Sequence, residues 1–483
     1  MSKNRFIEKI RQNPVWLLAV LLVAFFLKEV FLAALFPMFT GQDEARHYNT
    51  VQYLTYPKAP TQKPTAEQNK DWLETYNFST EIKNTIVAAG LDANRDNSFD
   101  KMSFLPNSFV GQNENEINRA SWAPLNLTAP PDIAGTTSLY HHLASLVEKA
   151  LASQSILVRF YAARLFSILL GTLAVFFFYL AIKNFGFSEK ATLALTAIVS
   201  FQPRFSIYYV SVNYDALLIL AFAIFFWAGT LVLKKGADWK NLSLLAVAAL
   251  IGYADKPTGI VIIVVFIFIL AWLFWQKINS YGKNFKYLSL VIFVLAIIVI
   301  FAAFGNYLPL SGGKNHLNIL VSLWEYFSKT LTPGKLALTS RTYWGTLSWT
   351  DSSMLDNVVN FINLIELAAA GGLIWFFFAK NPPTYLPQKK YAIFAAIMII
   401  ALQLGIRLAD WKFFANSGSL VLGSPGRYFI PNLAAHIVLV FVGLGMLLKK
   451  KKYFEDALSL GAVLMFCFTT YLIFNAILFR FYL

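Results

Sequence analysis

"VWLLAVLLVAFFLKEVFLAALF", Val15 to Phe36, decides the class of fold. A helix of this length and apolarity crosses roughly 30 Å of hydrocarbon. The segment before it, MSKNRFIEKIRQNP, gives the basic flank of a signal peptide. The apolar run is too long for one, however, and no small-residue cleavage site follows, so it reads as a retained signal-anchor helix. Similar runs recur at Ile156–Ile182, Ala191–Tyr209, Ala216–Leu233, Leu242–Ala254, Gly259–Trp275, Tyr287–Phe304, Val358–Phe378, Tyr391–Ile406, Tyr428–Leu448 and Ala457–Phe479. That makes about eleven crossings, of which Leu242–Ala254 is short enough to be tilted or partly re-entrant. The expected fold is an all-α polytopic membrane bundle, one domain over residues 1–483.

Composition agrees. Of 483 residues, 57% are hydrophobic and 14% charged, more apolar surface than one water-soluble core can hide. The formal charge of +15 does not imply nucleic acid, because the basic residues lie in short clusters between apolar runs instead of on one amphipathic face. Those clusters set orientation. With the N-terminus inside, the loops Lys183–Lys190, Lys234–Lys240, Lys277–Lys286, Lys380–Lys390 and Lys449–Lys452 all become cytoplasmic, as cationic loops prefer. Two long segments then face the exterior, 37–155 and 305–357, and loops of that size usually carry function or a folded insert. Thr65–Tyr76 and Ser138–Ala152 read as helical within the first; the second is rich in aromatics, as suits a layer at the bilayer interface.

Other chemistries are disfavoured. Gly313-Lys314 is followed by Asn315 and lacks the upstream glycine of a phosphate-binding loop, so ATP-driven transport is not expected. The single cysteine, Cys467, lies in an apolar run and provides neither a disulfide nor a thiolate metal site. No transporter-type internal repeat stands out.

The ionisable residues at the exterior ends of the spans are the candidates for chemistry. In "FTGQDEARHYN", Phe39–Asn49, Thr40 to Asp43 has the spacing of a capping box, and Asp43 and Glu44 could simply complement a helix N-terminus. If a helix begins here, Asp43 and His47 share a face, and a carboxylate beside an imidazole at a membrane boundary is a plausible general base. Asp215 in "VNYDALL" could be a helix cap or a site carboxylate. Asp255 and Lys256 in "YADKPTG" could form a structural pair with each other or line a site. "RTYWGTLSW" joins Arg341 to Trp344 and Trp349, which interfacial anchoring would also explain. In "GSPGRYFIPNL", Arg427, with Tyr428 beside it, follows glycines and a proline that let the backbone come close to a neighbour. A guanidinium there suits bidentate phosphate binding, although snorkelling to lipid headgroups is the plain alternative. No recognised metal spacing occurs, although Asp43, Glu44, His47 and Asp215 could supply ligands to a divalent cation.

The ordered motifs "DE..H", "SLYHHL", "VNYD", "KPTG", "YWGTLSW" and "GRYFIP" resemble those of a bacterial family of multi-pass membrane proteins related to the GT-C glycosyltransferases. That superfamily includes protein O-mannosyltransferases and arabinosyl- and aminoarabinose transferases. The resemblance runs from Phe36 to about Leu433, on motifs that are each short. It implies a GT-C-like bundle in the cytoplasmic (inner) membrane of a bacterium. It also implies inverting transfer of a sugar from a polyprenyl-phosphate carrier to an extracytoplasmic glycan or protein acceptor. By motif, Asp43 with Glu44 beside it would be the base or help hold a metal. His47, Asp215, Lys256, Arg341 and Arg427 fall with them on the exterior face under the topology set by the basic loops, and with Trp344 and Tyr428 they are the candidates for contact with substrate or phosphate. Thr40-Gly41-Gln42 and Thr136-Thr137-Ser138 stand where the family often has prolines, which bears on loop shape and acceptor choice. A lipid-linked glycan transporter or flippase, or a non-catalytic protein of envelope assembly, would use similar residues differently.

Overall fold

The structure is a computed structural model that describes residues 14–56, 78–88, 137–279, 319–345, 354–418, 420 and 425–478. The described residues fold as helices: α1 Pro14–Leu35, α2 Glu44–Thr55, α3 Thr80–Ala88, α4 Leu139–Ala150, α5 Ile156–Asn184, α6 Glu189–Ser200, α7 Pro203–Tyr209 and α8 Asp215–Lys235. They continue with α9 Trp239–Asp255, α10 Ile260–Asn279, α11 Ile319–Thr330, α12 Pro333–Trp344, α13 Met354–Phe378, α14 Lys389–Ser417, α15 Leu433–Leu448 and α16 Lys451–Leu472. A 3-10 turn, Pro257–Gly259, leads into α10, and a longer 3-10 segment, Gly426–Asn432, leads into α15.

Eight of the described helical stretches are long and apolar enough to cross a membrane. Three expected crossings are accounted for differently. Tyr287–Phe304 and the helical stretch Thr65–Tyr76 lie outside the described residues, as does Trp349. Leu242–Ala254 is the core of α9, whose 17 residues are short for a full span. Ala191–Tyr209 is not one helix. It breaks between α6 and α7 because Pro203 has no N–H to donate and forces the residue before it out of the helical region. Gln202 is extended there (φ −67°, ψ 123°), and its side-chain oxygen accepts from Phe205 N at 2.6 Å, capping α7.

Helix α8 is the centre of the bundle, buried along most of its length and packed on α5 and α9. A second layer pairs α13 with α15, where Gly372 and Gly443 let backbones meet: a Cβ on Gly372 would lie 2.1 Å from Gly443 O. Outward faces are apolar, with Val15 70%, Leu367 71% and Phe378 83% exposed, as side chains against lipid require. At one end the basic loops gather: Lys190 lies 3.7 Å from Asp456, Ser188 donates to Glu455 at 2.7 Å and Lys234 to Asn184 at 3.1 Å. The opposite end carries α2 and α4, packed on each other over α5.

The sequence reading of the first span passed over Lys28 and Glu29. Both turn inward: Lys28 donates to Ser200 O at 2.6 Å and Ser206 Oγ at 2.9 Å, and lies 2.8 Å from Glu29. The α6–α7 break provides that free carbonyl, so the broken helix and the buried lysine satisfy each other.

Candidate active site

Arg164 builds the frame. It sits on α5, fully buried, and uses all five N–H donors. Nη1 donates to Ala33 O at 2.7 Å and Phe36 O at 2.6 Å, and Nη2 to Pro37 O at 2.9 Å, which satisfies the C-terminal carbonyls of α1. Nε and Nη2 also grip Glu44 bidentately, at 2.8 and 2.7 Å. Glu44 in turn accepts from Val212 N at 2.9 Å and Gly41 N at 3.1 Å. Four hydrogen bonds fill the capacity of a carboxylate, leaving no acceptor position for a substrate hydroxyl or a cation.

Asp43, one residue earlier, is different. It precedes α2 in the left-handed conformation (φ 55°, ψ 16°) and makes no side-chain cap. Thr40 is not the cap of this helix: α2 begins at Glu44 with Asp43 in the capping position, and Thr40 Oγ1 donates to Pro37 O at 2.8 Å. The Asp43 carboxylate is 28% exposed, 4.0 Å from Arg46, and within electrostatic reach of Arg427.

Around Asp43 stands a belt of cations and tyrosines. Lys256 Nζ pairs with Asp215 at 2.7 Å and lies over the rings of Tyr214, at 4.4 Å, and Tyr428, at 5.6 Å. Arg427 lies over Tyr428, 4.9 Å from its centroid, and donates to its hydroxyl at 3.1 Å. Tyr208 donates to Arg427 O at 2.9 Å; Arg204 sits over the Tyr208 ring and donates to Gln42, next to Asp43. Burial works against the Lys256 charge, but Asp215 and then Tyr214 outweigh it and hold the ammonium above its ordinary pKa. Burial also pushes the Tyr214 phenol up to about 12. Asp255 and Lys256 are not a mutual pair. Asp255 turns the other way and accepts from Tyr140 N at 2.9 Å, at the start of α4, so that adjacent residues serve different helices.

His47 joins this belt through its edge contact with Tyr214, ring centroids 4.5 Å apart. Its Nδ1 lies 2.9 Å from His141 Nε2. Ser138 and His141 form the reciprocal capping box of α4, with Ser138 N donating to His141 Nδ1 at 3.3 Å. That makes Nδ1 of His141 an acceptor, so its Nε2 carries the hydrogen given to His47 Nδ1, and the proton of neutral His47 sits on Nε2. His47 therefore presents a donor, not a base. Burial, and next each other's charge or that of a neighbouring histidine, pulls both rings down, His141 to about 3 and His47 well below its usual value. Neutral burial of these rings contributes stability that is complete above about pH 6.5 and is lost as pH falls toward the folded values. At pH 5, His141 alone accounts for up to about 2 kcal/mol. Thermal unfolding of the detergent-solubilised protein is expected to show a lower Tm at pH 5 than at 7.5, and a smaller difference in His141→Gln.

Two expected site residues lie apart from the belt. Arg341, on α12, pairs with Asp356 at 2.8 Å. Trp344 is buried against Tyr343 and His436. Their helix still bears on the site, since Gly426 packs so closely that a Cβ would lie 2.0 Å from Thr339 O, and Gly426 N donates to Thr342 at 2.6 Å. The close backbone approach expected before Arg427 is therefore made against α12; Gly423 lies outside the described residues.

As a metal centre, the proposed ligands do not fit. Glu44 is saturated, Nδ1 of His47 is engaged, and among the described residues no three His, Cys, Asp or Glu side chains converge. The sequence reading missed Arg164, Arg204, Tyr208 and His141. Arg159 and Arg164 inside an apolar span were a readable signal, because charges at such depth require partners. Arg159 has them: Glu81, Glu148 and Tyr56 tie α3 and α4 to α5.

Residues 151–303 match a family model described as dolichyl-phosphate-mannose-protein mannosyltransferase. The chain is related to the GT-C glycosyltransferases. The match covers less than half of the chain; comparisons with curated proteins and with solved structures return no match. Within this GT-C relative, the matched region contains Arg164, Arg204, Asp215 and Lys256, and lies between Asp43 and Arg427 in sequence. The membrane-spanning helices and the family relation together describe a membrane glycosyltransferase of the kind that uses lipid-linked sugars.

Proposed function

We propose that this chain transfers a sugar from a polyprenyl-phosphate carrier to a hydroxyl acceptor outside the cytoplasmic membrane, with inversion and with Asp43 as general base. The observation that supports this most is the placement at a single end of the bundle of the accessible Asp43 carboxylate, within electrostatic reach of Arg427, together with the Lys256–Asp215 pair. Asp43 takes the proton of the acceptor hydroxyl as its oxygen attacks C1 of the sugar; the C1–O bond to phosphate breaks on the opposite face. The electron pair leaves with the polyprenyl phosphate, and the proton passes from Asp43 to solvent. A phosphate departs as a stable anion, so charge neutralisation replaces the second carboxyl group that a glycosidase needs. Arg427 and Lys256 supply that neutralisation from a partly dry site, where each charge counts for more than in water. Asp215 holds Lys256 in place, Glu44 and Arg164 fix the turn that carries Asp43, and the His47 Nε2–H is a donor for a sugar hydroxyl.

The test uses protein in liposomes with a panel of synthetic polyprenyl-phosphate hexoses and a membrane extract as acceptor source, reading released polyprenyl phosphate. Arg427→Gln is expected to lower kcat about 10²- to 10³-fold. Arg427→Lys retains charge but loses the planar fork, and is expected to fall between the two. Equal release by wild type and Arg427→Gln would overturn the assignment of Arg427, and donor movement across the bilayer without bond cleavage would identify a transporter.

A further inference from the structure

A separate cavity of about 270 Å³ opens between α12, α13, α14 and the 3-10 segment that leads into α15. Small-molecule pockets begin at ~300 Å³, so this space suits one ring and little more. Its chemistry differs from that of the Asp43 belt. Among the described residues no lysine or arginine lines it, which removes the means of holding a phosphate.

What it offers is a mixture of donors and acceptors beside aromatic faces. Tyr343 and Trp344 pack edge to face, with ring centroids 5.1 Å apart, and form its aromatic side. Ser340 donates to Asn363 Oδ1 at 2.6 Å, which leaves the Asn363 amide hydrogens for the cavity. Asn432 donates to Met398 O at 2.5 Å and keeps its carbonyl free. Glu366 Oε1 lies 3.2 Å from His436 Nε2 but makes no well-formed hydrogen bond, while His436 Nδ1 is held by Tyr343 OH at 2.8 Å. The Glu366 carboxylate thus has one long contact, to His436, and keeps acceptor capacity for a further donor.

We propose that this cavity binds the uncharged, hydroxyl-bearing ring of a hexosyl group, at a second carbohydrate site distinct from the Asp43 belt. Each sugar hydroxyl both donates and accepts, which is what Glu366, Asn363 and Asn432 together answer, and the C–H face of a pyranose lies well on an aromatic plane. The ring could come from a free glycan or from the head of a glycolipid; the recognition chemistry is the same. The inference stands on the cavity alone and does not rest on the transfer chemistry.

The experiment is saturation-transfer NMR on the full chain in phosphatidylcholine nanodiscs. The probes are methyl glucosides, galactosides, mannosides and N-acetylglucosaminides, with hexan-1-ol as the apolar control. At least one methyl hexoside is expected to receive saturation on its ring protons. Its Kd is expected to rise about tenfold or more in Glu366→Gln, as befits loss of a hydrogen bond to a charged group. Asn363→Leu is expected to weaken it similarly. A butyl hexoside bound more than tenfold tighter than its methyl counterpart would identify a glycolipid head; equal affinity, a free glycan. Silence from every hexoside, signals as strong from hexan-1-ol, or an undiminished signal in a folded Glu366→Gln would overturn the proposal.

Discussion

Asp43→Asn is expected to lower sugar transfer by about 10²- to 10⁴-fold in kcat, with little change in donor KM, in the same liposome assay. The substitution is unusually clean at this position. Asp43 occupies the left-handed region, φ 55°, where asparagine is one of the few residues that sits readily. It makes no side-chain cap and pairs only loosely, at 4.0 Å, with Arg46, so the turn loses nothing in hydrogen bonding. What disappears is the ability to accept a proton. Asp43→Ala carries in addition the backbone strain of a Cβ residue without a local polar partner, so its loss combines two effects. Full transfer by Asp43→Asn at normal protein level would remove the base from the proposed chemistry.

Arg164→Leu is expected to cost about 3–5 kcal/mol of stability, the largest such effect at the site, seen as a drop in Tm of the detergent-solubilised protein. Glu44 would then be a buried carboxylate with only Val212 N and Gly41 N for company, and the carbonyls of Ala33 and Phe36 would lose the Arg164 donor, while Pro37 O keeps that of Thr40. Glu44→Gln is expected to cost less, because the amide still accepts from Arg164. Recovery in the double variant Arg164→Leu/Glu44→Leu, relative to the first single variant, measures how much of the loss comes from the stranded charge. No recovery would locate the cost in the α1 carbonyls instead.

These two neighbours, Asp43 and Glu44, show where sequence is legible and where it is not. The spans could be read because about twenty apolar residues in a row have few other uses. Asp43, Asp215, Lys256 and Arg427 could be singled out because charge at a span boundary is conspicuous. The distinct placements of Asp43 and Glu44 could not, since adjacent residues in "QDEARH" differ only in which one meets Arg164, 120 residues later. The same holds for Lys256, whose partner proved to be Asp215 and not its neighbour Asp255. Pro203 was a visible helix breaker, overlooked because the surrounding hydropathy is continuous. Arg341 and Trp344 share the "RTYWG" motif with the site's supporting helix, yet point to Asp356 and His436.

The joint between the early and late parts of the chain has one property of its own. Gln202 Nε2 reaches Tyr343 O at 2.6 Å and Tyr208 OH reaches Arg427 O at 2.9 Å. Both fasteners close on peptide oxygens, which every amino acid possesses. These two fasteners make no demand on the side chains at 343 and 427, so an exchange there leaves both bonds in place, and Tyr343 is constrained by its packing in the core instead.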